Sequence, residues 1–214
     1  ARPEGEGPHP GVIVIQEWWG LNEHIKDVTR RFAQAGYAAL APDLYHGQVA
    51  TEPDEARKLV MELDMPAAVQ EIGSAADYLL GEDYVSGEQV GVLGFCMGGG
   101  FALVMGSRGF DAAAPFYPSV VRSFEALAED ICPVVASFGS RDPLNIRGGP
   151  RLRTALDRHH VPNDVKTYAG VGHSFANELP GQAVVRIAGF GYDAGATEDA
   201  YRRVFAFFGE HLAS

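Results

Sequence analysis

Val90-Gly91-Val92-Leu93-Gly94-Phe95-Cys96-Met97-Gly98-Gly99-Gly100-Phe101 is the stretch around which the rest of the chain is organised. An apolar run of strand character enters a glycine-lined turn and leaves into a helix-compatible segment, Met97 to Met105. Gly94, Cys96 and Gly98 fit the nucleophile-elbow spacing G-x-S-x-G, with sulfur where the pattern has a serine oxygen. On such a strained turn strand and helix nearly touch, so the positions two before and two after the nucleophile must lack a bulky Cβ. The amide of Met97 then lies at a helix N-terminus, where a developing oxyanion is stabilised. A thiolate is favoured there over a thiol as well. The competing reading makes Cys96 a small buried hydrophobe in a glycine-rich turn.

Outward from this turn, short apolar runs alternate with helical patterns. Strands are expected at 11–16, 37–41, 89–95, 112–117, 133–138 and 165–169, the first two being short apolar runs of the kind buried on both faces. Asn22 is placed to cap a helix reaching Gln34, and Gly36 to stop it. Pro53 starts a second helix carrying Ala56, Leu59, Val60 and Leu63. Met65-Pro66 starts a third that Gly81 ends. Further helices are expected from Pro150 to about His160 and from Thr197 to Leu212, with 118–130 a variable excursion and 170–191 rich in loop. Strand–helix alternation with short connections is the signature of a mostly parallel sheet covered by helices on both faces, in which function gathers at the carboxyl ends of the strands. Residues 1–214 read as one domain, with 44–66 an excursion over the active site.

Composition narrows the function classes. A formal charge of −11, spread along the chain, argues against a nucleic-acid partner, which would want a basic face. No apolar run approaches the roughly 18 residues that span a bilayer, so no membrane is expected. The chain opens at Ala1 on a polar Pro/Gly-rich lead with no signal region, and the missing Met suggests that N-terminal residues have been trimmed. Two cysteines are too few for a disulfide framework, and no C-x-x-C or H-E-x-x-H occurs, so no metal is expected. Cys132 precedes a proline at a strand start and reads as core. A cytoplasmic location follows. The adjacent pair His159-His160 reads as solvated surface, because neighbouring helix residues point apart.

Three strand ends carry candidate groups in the order Cys96, Asp142, His173, the chain order of an α/β-hydrolase triad. His173 lies in Gly170-Val171-Gly172-His173-Ser174-Phe175, a glycine-flanked loop after the last strand that lets a ring swing over the elbow. Asp142 is placed to accept the imidazole Nδ1–H and so fix the tautomer. Taken singly, Asp142 before Pro143 also fits a turn, and His173 a structural role. Glu17 lies at the carboxyl end of the first strand beside Trp18 and Trp19. The Trp18 amide there would pair with that of Met97 as an oxyanion hole. A carboxylate beside a thiol keeps the sulfur protonated until something moves it. Alternatively Glu17 belongs to a surface salt bridge.

Gln16-Glu17-Trp18-Trp19-Gly20, Ala41-Pro42-Asp43-Leu44-Tyr45, Asp64-Met65, Gly94-Phe95-Cys96-Met97-Gly98-Gly99 and Gly172-His173-Ser174-Phe175 together resemble the dienelactone hydrolase (carboxymethylenebutenolidase) family. The match runs in order over nearly the whole chain. The resemblance implies an α/β-hydrolase fold, a triad of Cys96, His173 and Asp142, and a Glu17 that hydrogen-bonds the resting thiol and is displaced by substrate. It also implies a protein without metal or organic cofactor that opens a lactone or ester. The sequence departs from the family where substrate carboxylate is read. Of the two arginines expected, one position holds Asn177 and the other falls at Pro53 or its neighbours, with Arg57 the nearest replacement. Losing a bidentate arginine removes much of the recognition of a planar carboxylate. A neutral or differently charged lactone or ester is therefore expected in place of dienelactone. Trp18, Trp19, Tyr45, Tyr117 and Phe175 are the aromatics expected to line its pocket, with Arg57 and Asn177 at the substrate. The expected protein is a monomer or small homo-oligomer that takes a small-molecule substrate. The rivals are a general carboxylesterase on the same fold and a non-catalytic redox-sensing thiol protein.

Overall fold

The computed structural model describes residues 1–5, 7–178 and 189–212. Six parallel strands form one sheet: β1 (His9–Ile15), β2 (Ala38–Leu40), β3 (Val85–Phe95), β4 (Ala112–Phe116), β5 (Val134–Gly139) and β6 (Asn163–Tyr168), in spatial order β2-β1-β3-β4-β5-β6. Successive side chains of β1 go to opposite faces, and both faces are covered. Ile13 and Ile15 join the core beneath the helices α3 (Met65–Leu80), α4 (Met97–Gly106) and α6 (Gly148–Arg158). Val12 and Val14 join the core beneath α1 (Glu23–Gln34) and α7 (Ala194–His211). That double burial is why the strands read as continuous apolar runs rather than alternating ones.

Local signals set most helix starts. Asn22 Oδ1 accepts from the Ile25 amide at 3.2 Å, and Asp64 Oδ1 from that of Ala67 at 3.1 Å. The last helix begins three residues before the expected Thr197, because Asp193 Oδ1 caps it through the Ala196 amide at 2.9 Å. Thr197 is instead buried in the first turn, its hydroxyl donating to the Phe175 carbonyl at 2.8 Å and tying α7 to the histidine loop. Helix α2 (Pro53–Glu62) forms as Pro53 suggested, with a capping box between Glu52 and Glu55. The excursion 118–130 contains a short helix, α5 (Phe124–Ala128), capped by Ser123. It is too short to show helical periodicity in the sequence. β3 starts at Val85 rather than Gln89, where His9↔Val85 pairing precedes a register irregularity. Of the loop-rich 170–191, residues 179–188 lie outside the described residues. Among the described residues no helix is long and apolar enough to cross a membrane.

Candidate active site

The turn between β3 and α4 is strained at its apex. Cys96 has φ 53° and ψ −115°, a left-handed conformation that costs a non-glycine residue of order 1–3 kcal/mol. Both elbow glycines are required by space. A Cβ at Gly94 would run into the Gly98 carbonyl, and one at Gly98 into the carbonyls of Ile15 and Gln16. The strain is held by backbone bonds on both sides of the turn: the Cys96 amide donates to Phe116 O at 3.1 Å, and the Ser119 amide to Cys96 O at 2.9 Å. Met97 opens α4, so its amide has no carbonyl one turn earlier within the helix.

Five strand ends meet here. His173 Nδ1 donates to Asp142 Oδ2 at 2.8 Å, with both side chains essentially inaccessible to solvent. A carboxylate on Nδ1 fixes the tautomer and leaves Nε2 to face the elbow. Nε2 is buried and has no formed hydrogen bond, yet the Cys96 sulfur stands close enough to act on the ring. Burial pulls the proton affinity of His173 down; the Asp142 hydrogen bond and the neighbouring Cys96 sulfur more than offset this and raise its pKa from 6.5 to about 10. Asp142 also accepts from the Leu144 amide through Oδ1 at 2.8 Å, so it is a turn residue as well as the imidazole's partner.

Glu17 occupies a different place from the one the resemblance implies. It is buried, and both carboxylate oxygens are taken: Tyr117 Oη donates to Oε1 at 2.9 Å and Asn177 Nδ2 to Oε2 at 2.5 Å. The Cys96 sulfur instead meets Ser119 Oγ at 3.5 Å. Glu17 is thus neither hydrogen-bonded to the thiol nor part of a surface salt bridge. It ties the end of β1 to the loops after β4 and after His173. His24 lies beside it; burial lowers the pKa of that imidazole, against a smaller opposing pull from Glu17. Tyr117 is driven far above its usual value by burial and then by Glu17, so it stays a donor. Truncating Asn177 to alanine strands one buried carboxylate oxygen, at a cost of about 1–3 kcal/mol. Calorimetry should then read a melting temperature lower by several degrees, at about 2–4 °C per kcal/mol for a chain of this size. A melting temperature within a degree of the parent would show that Asn177 does not hold Glu17.

Cys96 and His173 open into a cavity of about 490 Å³ walled by Trp18, Trp19, Met97, Val120, Leu144 and Phe190, with Val60 of α2 above and Ser119 and Ser174 alongside. Trp18 and Trp19 meet edge to face at 5.0 Å. No arginine, lysine, aspartate or glutamate lines it among the described residues. Four expected substrate contacts lie elsewhere, and so does Phe175. Arg57 is exposed on the outer face of α2, 3.5 Å from Asp54, because an i,i+3 carboxylate on a solvated helix face holds it there. Asn177 is spent on Glu17. Tyr45 is buried behind the elbow with its hydroxyl 3.8 Å from the Met97 sulfur, and Tyr117 and Phe175 are wholly buried in the aromatic core. Ser119 carried no sequence signal, since the excursion that holds it has no periodicity. His24 reads only as an ordinary residue of an amphipathic helix. The other cysteine, Cys132, is partly buried against the core, and burial pushes its thiol up to about 12. His159 meets Glu125 at 3.1 Å beside Arg158. A second cavity of similar size, about 500 Å³ between α5 and α6, holds none of the groups gathered at the strand ends.

The model of the dienelactone hydrolase family matches residues 1–212. The chain belongs to that family. Its relatives include protein usf of Aquifex pyrophilus, 34% identical over 99% of this chain and 92% of that protein. The carboxymethylenebutenolidase of Pseudomonas putida is 28% identical over 94% of this chain and 86% of its own length. Among solved structures, the dienelactone hydrolase-like promiscuous phosphotriesterase P91 from metagenomic libraries superposes with a TM-score of 0.84 at 28% identity, covering 98% of this chain and 89% of that one. As a dienelactone hydrolase family member the protein is a hydrolase of the lactonase and esterase kind acting on a small molecule, built on the α/β-hydrolase fold.

Proposed function

We propose that the protein hydrolyses a neutral lactone or carboxylic ester through a thioester on Cys96. The observation that carries this reading is a cavity lined by no arginine, lysine, aspartate or glutamate among the described residues, into which both Cys96 and His173 face, with His173 held by Asp142 at 2.8 Å. Cys96 Sγ attacks the carbonyl carbon while its proton resides on His173 Nε2. The tetrahedral oxyanion sits between the amides of Met97 and Trp18. Its collapse expels an alkoxide or enolate, which takes the proton from His173. His173 then draws a proton from water, and the resulting hydroxide cleaves the thioester to release acid and free thiol. Ser119 Oγ steadies the sulfur from the side. Glu17 acts as an anchor for the surrounding loops rather than as a proton carrier.

With no guanidinium at the cavity among the described residues, a substrate carboxylate would be desolvated without compensation, at several kcal/mol. Neutral esters and lactones are therefore expected to show kcat/KM at least about tenfold above carboxylate-bearing lactones of the same ring, the factor for 1.4 kcal/mol. Steady-state kinetics on matched pairs, with p-nitrophenyl esters alongside enol-lactones, tests this and separates a general carboxylesterase from a lactonase. A preference for the carboxylate-bearing member, or no hydrolysis of either class, overturns the proposal.

A further inference from the structure

Val120 is a β-branched residue at φ +57°, a region that side chains of its shape avoid, and it is 57% exposed. Its unusual backbone stands it on the rim of the Cys96 cavity, where it also lines a second, largely apolar cavity of about 390 Å³ between α3 and α4. That second cavity is walled by Met65, Val69, Phe101 and Val104, with Gln70 and Arg108 also lining it. The two share a helix as well as a residue. Met97 at the start of α4 faces the elbow cavity, and Phe101 and Val104, one and two turns on, face the groove. The groove therefore lies next to a carbonyl seated at the Met97 amide, on the far side of Val120 along α4. From Met97 to Val104 the helix rises about 10 Å. Met65 and Val120 leave apolar surface in solvent at the mouth of this groove, which is unfavourable unless something covers it.

We infer that Val120 divides one substrate site into two compartments, and that the groove between α3 and α4 takes the linear apolar acyl arm of a medium-chain ester. The inference rests on the proposed ester hydrolysis at Cys96 and narrows its substrate class: a compact lactone would leave the groove empty. The acyl arm is the occupant because the groove adjoins the reacting cavity at Val120, which lines both, and because its walls offer dispersion contacts and few polar ones.

The test is kcat/KM for p-nitrophenyl acetate, butyrate, hexanoate and octanoate. Once the chain passes Val120, each methylene is expected to raise kcat/KM about fourfold, from ~0.8 kcal/mol per buried CH₂. Val69→Gln and Val104→Gln, made separately, put a polar group in the groove and are each expected to lower the octanoate-to-acetate ratio about tenfold, the cost of one desolvated amide group at the low end. Either variant suffices if the other fails to fold, and acetate turnover reports folding in each. A flat series in the wild-type protein, or an unchanged ratio in both variants, overturns the inference while leaving ester hydrolysis in place. Absence of turnover on every ester overturns the inference, and it overturns the reading beneath it as well when lactones are not hydrolysed either.

Discussion

Cys96→Ala is expected to lower kcat by a factor on the order of 10⁶, the loss seen when a nucleophile that works as a unit with its base is removed. The elbow should survive. Alanine meets the same positive φ as cysteine, and the amide and carbonyl of residue 96 still reach Phe116 and Ser119. Cys96→Ser should retain weak activity, because an alkoxide needs a stronger base than a thiolate does. The alanine variant carries a second signature. Part of what lifts His173 to about 10 is the sulfur beside it, so a proton NMR titration should find the imidazole pKa lower in Cys96→Ala. Turnover that persists in the alanine variant would dispose of covalent catalysis at this position. An unmoved imidazole pKa would mean that sulfur and ring do not interact.

Asp142→Asn is expected to cost about 10⁴ in kcat, because an amide at Nδ1 no longer enforces the tautomer that aims Nε2 at the nucleophile. It should also change how stability depends on pH. In the wild-type protein the folded pKa of His173 lies above its unfolded value, so the folded state holds the extra proton between the two. The stability this provides is complete below pH 6.5 and is lost as pH rises through about 10. Without the carboxylate, burial is left to oppose the charged ring, and that fall between pH 6.5 and 10 should flatten. Urea unfolding at several pH values across this window measures it. Equal slopes in parent and variant would show that Asp142 does not hold a charged imidazole.

The frame of this molecule was legible in its sequence because the signals were local or periodic. The inner strands announced themselves as apolar runs since both sheet faces are covered there, and Asn22 marked a helix start that the structure keeps. The elbow was legible because two glycines bracket Cys96 where no Cβ fits. Contacts between distant parts of the chain were not. Nothing near Glu17 announces that Asn177, 160 residues on, will hold one of its oxygens and Tyr117 the other. Asn177 is expected at the substrate because it stands where the resemblance expects an arginine, and Tyr117 because it is one of the aromatics near a strand end. Here burial of Glu17 claims both, since a carboxylate withdrawn from water must be met by donors. Arg57 was misplaced for the opposite reason: a long, flexible side chain on a short helix takes the nearest exposed carboxylate.

The core around Cys132 has a practical consequence for chemical probing. A thiol whose ionisation is pushed to about 12 supplies almost no thiolate at neutral pH, and the thiolate is the reactive form. Electrophilic labels applied to the folded protein thus meet a single competent sulfur, the one beside His173. Labelling stoichiometry becomes a direct count of intact sites, and anything lodged in the Trp18–Trp19 cavity should shield that sulfur in proportion to its occupancy.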